Sequence, residues 1–256
     1  MTTHNSTIAH IPESAWKRLR TRSVSQRRWS AYTLWVGVFI VALVTFLSVA
    51  APVLGFTEPN NTDLTQRLLP PSREHFFGTD DVGRDVFTRV LYGGRIDLSF
   101  GLITTYVSLA VGLVIGALAG YYGGWLDSIV MRAVDLVISF PFIVLILAIT
   151  AITGPGITGP YVGVLAVSWA LYARLTRGEM LAMREKQYVL AAQTLGFSTW
   201  RIIFVHCIPN LLRSNLVFSM SDIVLNILTL AALSYLGLGV TPPTAEWGEI
   251  ISQGQR

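Results

Sequence analysis

Long apolar stretches alternate with shorter polar ones along most of the chain. Charged residues are absent from residues 31–57, 98–126, 136–173 and 223–245. Because a helix needs about 20 apolar residues to span a bilayer, we place a first span at 31–57 and a second within 98–126. The third stretch is too long for one span, and glycines and prolines at 154–160 divide it into two predicted helices.

The last apolar region covers residues 202–245 and is interrupted by Pro209, Arg213 and Asp222. We therefore place a single span there, roughly at 211–238. Together the apolar stretches predict an all-α fold, a polytopic membrane helical bundle in which five spans are visible.

Composition excludes a water-soluble globule. Hydrophobic residues make up 52% of the chain and charged residues only 13%, whereas about 25% of the residues in an average soluble domain are charged. Cys207 is the only cysteine, which excludes an intrachain disulfide and a cysteine-based metal site. We expect neither a metal site nor a catalytic residue in this chain.

The charges assign a side of the membrane to each polar segment. Residues 1–30 form a basic N-terminal segment, and an excess of lysine and arginine beside a span marks the cytoplasmic face. Residues 58–97 carry five basic and seven acidic residues, a net −2 that suits the outer side. Residues 174–213 carry six basic and two acidic residues, a net +4 that suits the cytoplasm. The pattern predicts a cytoplasmic N-terminus, and it accounts for the net charge of the chain without a nucleic-acid partner.

The extracytoplasmic segment, residues 58–97, contains a run of glycines and charged residues. Thr79 or Asp80 is placed to cap a short amphipathic helix, which we expect at the outer interface. Arg84 stands among the acidic residues and can pair with them, so we interpret the run as a structural turn instead of a metal site. His75 is interpreted as an isolated surface histidine. The residues of this extracytoplasmic structural motif are Gly78, Thr79, Asp80, Gly83, Arg84 and Asp85.

Three glycines in the second predicted span recur every four residues, at Gly112, Gly116 and Gly120. This spacing places them on one helix face, where the backbone of a neighbouring helix can approach closely. The alternative is that this face lines a translocation path.

Asp222 is an ionisable residue inside a predicted span, where a charge is costly and usually faces the bundle interior or water. We take it as a candidate pore residue. The alternative is that it lies near the cytoplasmic boundary and is hydrogen-bonded to Ser219, Ser221 or Asn226.

The predicted cytoplasmic loop, residues 174–210, has the pattern of a helix, a glycine and a second helix. The first helix is expected at 188–195 and ends at Gly196 in the left-handed conformation. Ser198 begins the second helix and Pro209 stops it.

The first of these helices carries small residues that suit a docking surface. Ala191 and Ala192 give it a shallow face, and Tyr188 and Phe197 flank that face with aromatic rings. Such a face fits into the groove of another protein. The alternative is an amphipathic loop that lies free at the membrane surface.

These residues resemble those of the permease subunits of binding-protein-dependent ABC importers. The cytoplasmic signature of that family is a pair of alanines, a glycine four positions after the second alanine and a later proline. The chain departs from it at Leu190, where the general signature has glutamate. The resemblance is to the branch that carries dipeptides, oligopeptides, nickel and related chelates, and to its second-permease, C-type subunit. It runs over residues 76–248 and rests on Ala191, Ala192, Gly196, Pro209, the extracytoplasmic motif, Met131, Arg132, Asp135, Pro141, residues 231–239, Pro242, Pro243 and residues 246–248.

The resemblance implies an ATP-driven importer in which this chain and a homologous second permease form the translocation pore for a peptide or a related small solute. An extracytoplasmic binding protein would deliver the solute, and two ATPase subunits would bind the cytoplasmic loop. ATP and Mg²⁺ would be bound by those ATPases, since this chain lacks the phosphate loop G-x-x-x-x-G-K-[ST] and needs no cofactor of its own. The coupling residues implied are Tyr188, Val189, Ala191, Ala192, Gly196, Arg201, Pro209 and Asn210.

The resemblance also fixes the expected location and domain organisation. The protein would be a multi-pass, lipid-embedded component of the bacterial inner membrane. Residues 98–256 would form the permease core domain, which includes the coupling loop 174–210, and a sixth span is expected beyond Arg256.

Three other interpretations stay open at this point. An importer of the same type could carry nickel or a metal chelate. A gradient-driven secondary transporter or ion channel predicts charged residues distributed through several spans, whereas only Asp135 and Asp222 qualify, both near predicted span ends. A membrane-embedded enzyme needs a catalytic cluster, whereas the four histidines are scattered outside the predicted spans.

Overall fold

A computed structural model describes residues 13–56 and 58–255, with side chains from Tyr32 onward. Within those ranges there is no β-strand, and a single isolated bridge joins Thr79 to Asp85. The prediction of an all-α fold is confirmed. The elements are α1 (Glu13–Ala50), a 3₁₀ turn (Leu64–Gln66), α2 (Val86–Tyr122), α3 (Gly124–Ile138), α4 (Phe142–Thr153), α5 (Thr158–Met183), α6 (Gln187–Thr194), α7 (Thr199–Arg201), a π-helical turn (Ile202–Cys207), α8 (Ile208–Tyr235) and α9 (Trp247–Gln253).

The chain divides into two compact units, and the first ends at Leu47. Helix α1 is continuous from Glu13, and its part Tyr32–Ala50 is apolar enough to cross a membrane. Residues 1–12 of the predicted N-terminal segment lie outside the described residues. The predicted first span extends to residue 57, whereas the helix ends at Ala50 and turns follow it.

The number of membrane crossings is three or four by length and composition. Three helical stretches are long and apolar enough to cross a membrane: Tyr32–Ala50, Val86–Tyr122 and the continuous stretch Thr199–Tyr235. Helices α3 and α4 would supply a fourth crossing if this pair, bent by 85°, is one span. Helix α5, which the sequence predicts as a span, has the length at 26 residues. It is not among the candidate membrane spans, because its polar residues lower its mean hydropathy. The predicted number of five therefore stays a prediction.

Helix α2 corrects the prediction of a separate interfacial helix before the second span. The chain runs as one helix of 37 residues from Val86 to Tyr122, about 55 Å at 1.5 Å per residue. Its N-cap is Asp85, whose side chain accepts a hydrogen bond from the backbone N–H of Thr88, and neither Thr79 nor Asp80 caps it. The helix is not interrupted because it contains no proline and its charged residues Arg89 and Asp97 find buried partners, described below.

The predicted break near residue 154 is confirmed, and the structure adds a second one. Helix α4 ends at Gly154, which has a φ of +86°, and α5 begins at Thr158. The additional break precedes α4, where Pro141 is the N-cap. A proline disfavours helical backbone at the residue before it, which explains why α3 ends there.

The stripe of three glycines packs α2 against α5, which confirms the packing interpretation of their spacing. A Cβ on Gly112 would lie 2.5 Å from Tyr172 Cβ, and one on Gly120 would lie 2.9 Å from Met180 Cβ. Side chains on this face would therefore force the two helices apart. A buried apolar cluster that includes Leu113 and Tyr172 continues from this contact to the cytoplasmic loop.

Pro209 does not stop the second helix of the loop, contrary to the prediction. It lies in the first turn of α8, which follows α7 through the π-helical turn without interruption. The π-helical turn accommodates this proline, because its widened hydrogen bonds, such as that from the N–H of Ile208 to the carbonyl of Ile203, interrupt the regular helical pattern at the position where proline lacks an N–H. Asn210 Nδ2 donates to the carbonyl of His206 at 2.7 Å and satisfies an acceptor in this irregular stretch.

Candidate functional site

The loop that the sequence predicts to be cytoplasmic is a folded unit anchored on the ends of α2 and α5. Helix α6 occupies Gln187–Thr194, within one residue of its predicted position. Gln193 Nε2 donates to the hydroxyl of Tyr121 at 3.1 Å, and Arg184 Nη1 donates to the carbonyl of Gly120 at 3.1 Å. These two hydrogen bonds hold the loop against α2, so the loop does not lie free of the helices.

The paired alanines of α6 face different directions, one buried and one exposed, which corrects the prediction that both belong to one docking face. Ala192 and its neighbour Val189 are buried in the apolar cluster of the chain itself. Ala191 is exposed. Successive residues of a helix lie about 100° apart, so two adjacent alanines do not share a narrow face. Ala191 alone is available to a partner.

The outward face of the loop carries large apolar side chains that are exposed. Leu195 is 73% exposed, and Leu190 and Tyr188 are about half exposed. The exposed indole of Trp200 stacks on Phe204 with ring centroids 5.3 Å apart. Exposed apolar side chains grouped in one loop are typical of a surface that contacts protein or membrane.

Gly196 forms the turn that the sequence predicts. Its φ is +77°, in the left-handed region, and its N–H donates to the carbonyl of Gln193 at 2.9 Å. The N–H of Phe197 donates to the carbonyl of Ala192 at 3.1 Å. Ser198 caps α7, as predicted, by accepting from the N–H of Arg201. This turn fixes the angle at which α6 is presented.

Arg201 is exposed and packs on an aromatic ring of the loop. Its guanidinium lies 4.4 Å from the centre of the Phe197 ring, which stacks in turn on His206. Of the predicted coupling residues, the structure buries only Val189 and Ala192. The other six are exposed: Tyr188, Ala191, Gly196, Arg201, Pro209 and Asn210.

The extracytoplasmic motif is a compact turn, built as predicted around an arginine and a carboxylate. Asp80 Oδ1 accepts from the N–H groups of Val82 and Arg84, and Asp80 Oδ2 accepts from Arg84 Nε at 2.6 Å. Gly83 has a φ of +80° and lies so close to the backbone of Asp63 that no side chain fits there. Thr79 links the turn to the preceding segment through Gln66.

His75 belongs to this motif and is not the isolated surface residue that the sequence suggests. Its Nδ1 lies 3.0 Å from Asp85 Oδ1, and its Nε2 lies 3.0 Å from Gln66 Oε1. Asp85 therefore both caps α2 and holds the imidazole.

Arg89 connects three distant segments at the outer end of α2, a role that the sequence analysis missed. Its side chain is 1% exposed. Nη1 donates to the carbonyls of Pro59 and Pro243, each at 3.2 Å, and Nε lies 3.8 Å from Asp80 Oδ2. The sequence carried no signal for this role, because Arg89 is one of several charged residues between Asp80 and Asp97 and lies off the predicted apolar face.

Replacing Arg89 with methionine should destabilise this outer end. The carbonyls of Pro59 and Pro243, whose hydrogen bonds to Arg89 are part-buried, would lose this donor. An unsatisfied group costs about 1–3 kcal/mol where it is fully buried and less where water reaches it. The thermal unfolding temperature of the purified protein should fall, and residues 58–85 should become sensitive to protease. Arg95→Met is the matched control, since Arg95 lies on the same helix and is exposed. Equal stability of the two variants would contradict this role.

Asp222 is part of a buried hydrogen-bonded chain across three helices. Its Oδ2 accepts from the hydroxyl of Tyr172 on α5 at 2.9 Å and from Asn226 Nδ2 at 3.3 Å. Asn226 Nδ2 also donates to Thr105 Oγ1 on α2 at 2.8 Å. The Asp222 side chain is only 3% exposed. The hydrogen bond to Asn226 is one that the alternative interpretation of Asp222 anticipates.

Polar residues continue along this side of α8. Asn215 Oδ1 accepts from Thr176 Oγ1 at 3.1 Å, and Ser214 Oγ donates to Glu179 Oε2 at 2.5 Å. The polar face of α8 therefore packs on α5, whereas apolar residues such as Val217 and Met220 are exposed.

Comparison with known proteins places these features in a family. Residues 112–255 match the family described as "Binding-protein-dependent transport system inner membrane component". The chain is 38% identical over 221 residues to the dipeptide transport system permease protein of Alkalihalophilus pseudofirmus, and the aligned region covers 86% of this chain and 73% of that protein. It is 37% identical over 219 residues to the glutathione transport system permease protein of Pectobacterium atrosepticum, covering 86% and 73%. It is 36% identical over 219 residues to the oligopeptide transport system permease protein of Bacillus subtilis, covering 86% and 72%.

Proposed function

Since the chain belongs to the family of inner membrane components of binding-protein-dependent transport systems, we propose that it forms half of the translocation pore of an ATP-driven importer and couples to ATPase subunits through its cytoplasmic loop. It is an integral inner-membrane permease subunit of the ABC importer class and is not itself an enzyme. A homologous second permease supplies the other half of the pore. The observation that carries the proposal is the folded loop with an exposed apolar face, Tyr188 to Phe204.

The proposed cargo is a peptide or a related small solute. The relatives compared above are named for dipeptide, glutathione and oligopeptide transport. Their names favour peptides over the nickel or metal-chelate alternative. An extracytoplasmic binding protein delivers the solute.

Coupling in this proposal is mechanical. Two ATPase subunits bind ATP and Mg²⁺ and dock against the outward face of α6. When the ATPases close, α6 and α7 move as a unit, and the anchors on Tyr121 and Gly120 carry the movement into α2. Helix α8 follows because α7 continues into it through the π-helical turn. The result is rigid-body movement of packed helices between inward-facing and outward-facing states.

The proposed orientation places residues 58–85 outside and residues 184–210 in the cytoplasm. A cysteine introduced at Asn61, in a Cys207→Ser background, should react with a membrane-impermeant maleimide in intact cells. A cysteine at Ala191 should react only after permeabilisation. The opposite pattern would overturn the orientation.

Asp222 is the candidate residue of the substrate path, and its burial in this conformation means that α5 and α8 must separate before it meets a solute. Asp222→Asn should therefore alter the KM or the maximal rate of uptake by roughly tenfold, equivalent to about 1.4 kcal/mol, while assembly is preserved because asparagine can still accept from Tyr172. Tyr172→Phe is the matched control, since it removes one hydrogen bond and leaves the carboxylate. If Asp222→Asn transports normally at every substrate concentration, the residue has a packing role only.

The importer assignment is tested by uptake into proteoliposomes that contain both permeases and the ATPases. Peptide uptake should require ATP on the ATPase side and the binding protein on the other. Uptake driven by an ion gradient without ATP would support a secondary transporter and reject the proposal.

A further inference from the structure

The segment that follows α8 folds back onto the outer half of α2. The backbone N–H of Trp247 donates to Asp97 Oδ2 at 3.1 Å, and Trp247 Nε1 donates to the carbonyl of Val90 at 2.9 Å. Gly93 makes room for this contact, since a Cβ there would lie 3.2 Å from Glu246 Cα and from the Trp247 ring. The contact brings two acidic residues together.

Asp97 and Glu246 are both fully buried at this contact, at 0% exposure. Glu246 caps α9, and its Oε1 and Oε2 accept from the N–H groups of Gly248 and Glu249, each at 2.9 Å. Glu246 meets Asp97 at this contact, because the residue after Glu246 donates its backbone N–H to Asp97 and Glu246 Cα lies against Gly93, about one helical turn before Asp97. Asp97 Oδ1 has no donor among the described residues.

Two carboxylates that meet in a buried site cannot both be ionised at low cost, because like charges repel and neither is solvated. Glu246 is the better anion, since two backbone N–H groups and a helix N-terminus stabilise its charge. Within residues 58–255, Asp97 accepts a hydrogen bond from the backbone N–H of Trp247. A proton on Asp97 supplies the donor that the pair otherwise lacks.

Among the residues that the structure describes, no ion pair joins Asp97 or Glu246 to an arginine or a lysine. On α2, Arg89 is engaged by Asp80 and by the carbonyls of Pro59 and Pro243, and Arg95 is exposed. On α9, Glu249 accepts from Gln253 Nε2 at 2.8 Å and supplies no cation. These neighbours favour a proton as the bound species.

We propose that Asp97 and Glu246 share one proton, and that this proton holds residues 242–253 against α2. The bridge is a hydrogen bond from the protonated Asp97 carboxyl to the Glu246 carboxylate. Loss of the proton would leave two buried negative charges in contact and would release the segment from α2.

Infrared spectroscopy of the permease in its assembled complex tests the shared proton directly. The wild type at neutral pH should show the C=O stretch of a protonated carboxyl, and this band should be absent from Asp97→Asn and from Glu246→Gln. Glu249→Gln is the matched control and should keep the band, since Glu249 is buried on the same helix but outside the pair. Persistence of the band in Asp97→Asn, or its absence from the wild type, would overturn the proposal.

The holding role is tested by the pH dependence of stability. The folded state keeps a proton that the unfolded state releases at neutral pH, so raising the pH should favour unfolding. Asp97→Asn should stay folded, because its amide can donate to Glu246, and should lose most of this pH dependence. An Asp97→Asn variant that unfolds with the same pH dependence as the wild type would refute the holding role.

Discussion

Gly116→Val is expected to prevent stable folding of the permease, whereas the same substitution at Gly178 should be tolerated. A Cβ on Gly116 would overlap the carbonyl of Ala173 and would lie 2.9 Å from Thr176 Cβ. The overlapping atom is backbone, so the clash is relieved only if α2 and α5 move apart. Overpacking of a core typically costs about 1–3 kcal/mol, and here it also separates the buried surfaces on both sides of the contact.

Gly178 is the matched control because it lies on α5, is exposed, and has no neighbouring atom within 4 Å of the position that a Cβ would occupy. The measurements are the yield of membrane-inserted protein and its unfolding temperature in detergent. Wild-type stability of Gly116→Val would contradict the close packing of α2 on α5.

Ala191→Trp is expected to abolish association with the ATPases while the permease itself stays folded. Ala191 is exposed, so an indole there leaves the apolar cluster of the chain intact but projects from the face that we propose docks. We expect association to weaken at least tenfold, which corresponds to about 1.4 kcal/mol. Ala191→Ser is the matched control, since it changes polarity with almost no change in size.

Substitutions at Gly196 test the same docking surface, because this residue sets the orientation of α6. Gly196→Val should misorient α6, because a β-branched residue is strained at a φ of +77° by more than about 1 kcal/mol. Gly196→Asn should be tolerated, since asparagine adopts that conformation more readily. ATPase co-purification and substrate-stimulated ATP hydrolysis are the readouts. Wild-type values in Ala191→Trp and Gly196→Val would remove the docking hypothesis.

Features with a local cause were predictable from sequence. The break after residue 153 follows from glycine and proline, and the turn at Gly196 follows from the need for a left-handed residue after a short helix. The glycine stripe on α2 follows from spacing alone. In each case the residues that decide the structure are neighbours in the sequence.

Features that depend on distant partners were not predictable. The burial of Ala192 is decided by the cluster that α6 meets, and the burial of Arg89 is decided by carbonyls at Pro59 and Pro243. The continuity of α8 past Pro209 depends on a π-helical turn, which no spacing in the sequence indicates.

The central claim is that the outward face of α6 contacts the ATPases. The most direct measurement is cross-linking from a cysteine at Ala191, in a Cys207→Ser background, in membranes that contain the assembled importer. The account predicts a cross-linked product of permease and ATPase whose yield changes when ATP is bound, and no such product from a cysteine at Asn61. Failure of the Ala191 cysteine to cross-link in an importer that still takes up peptide would contradict the account.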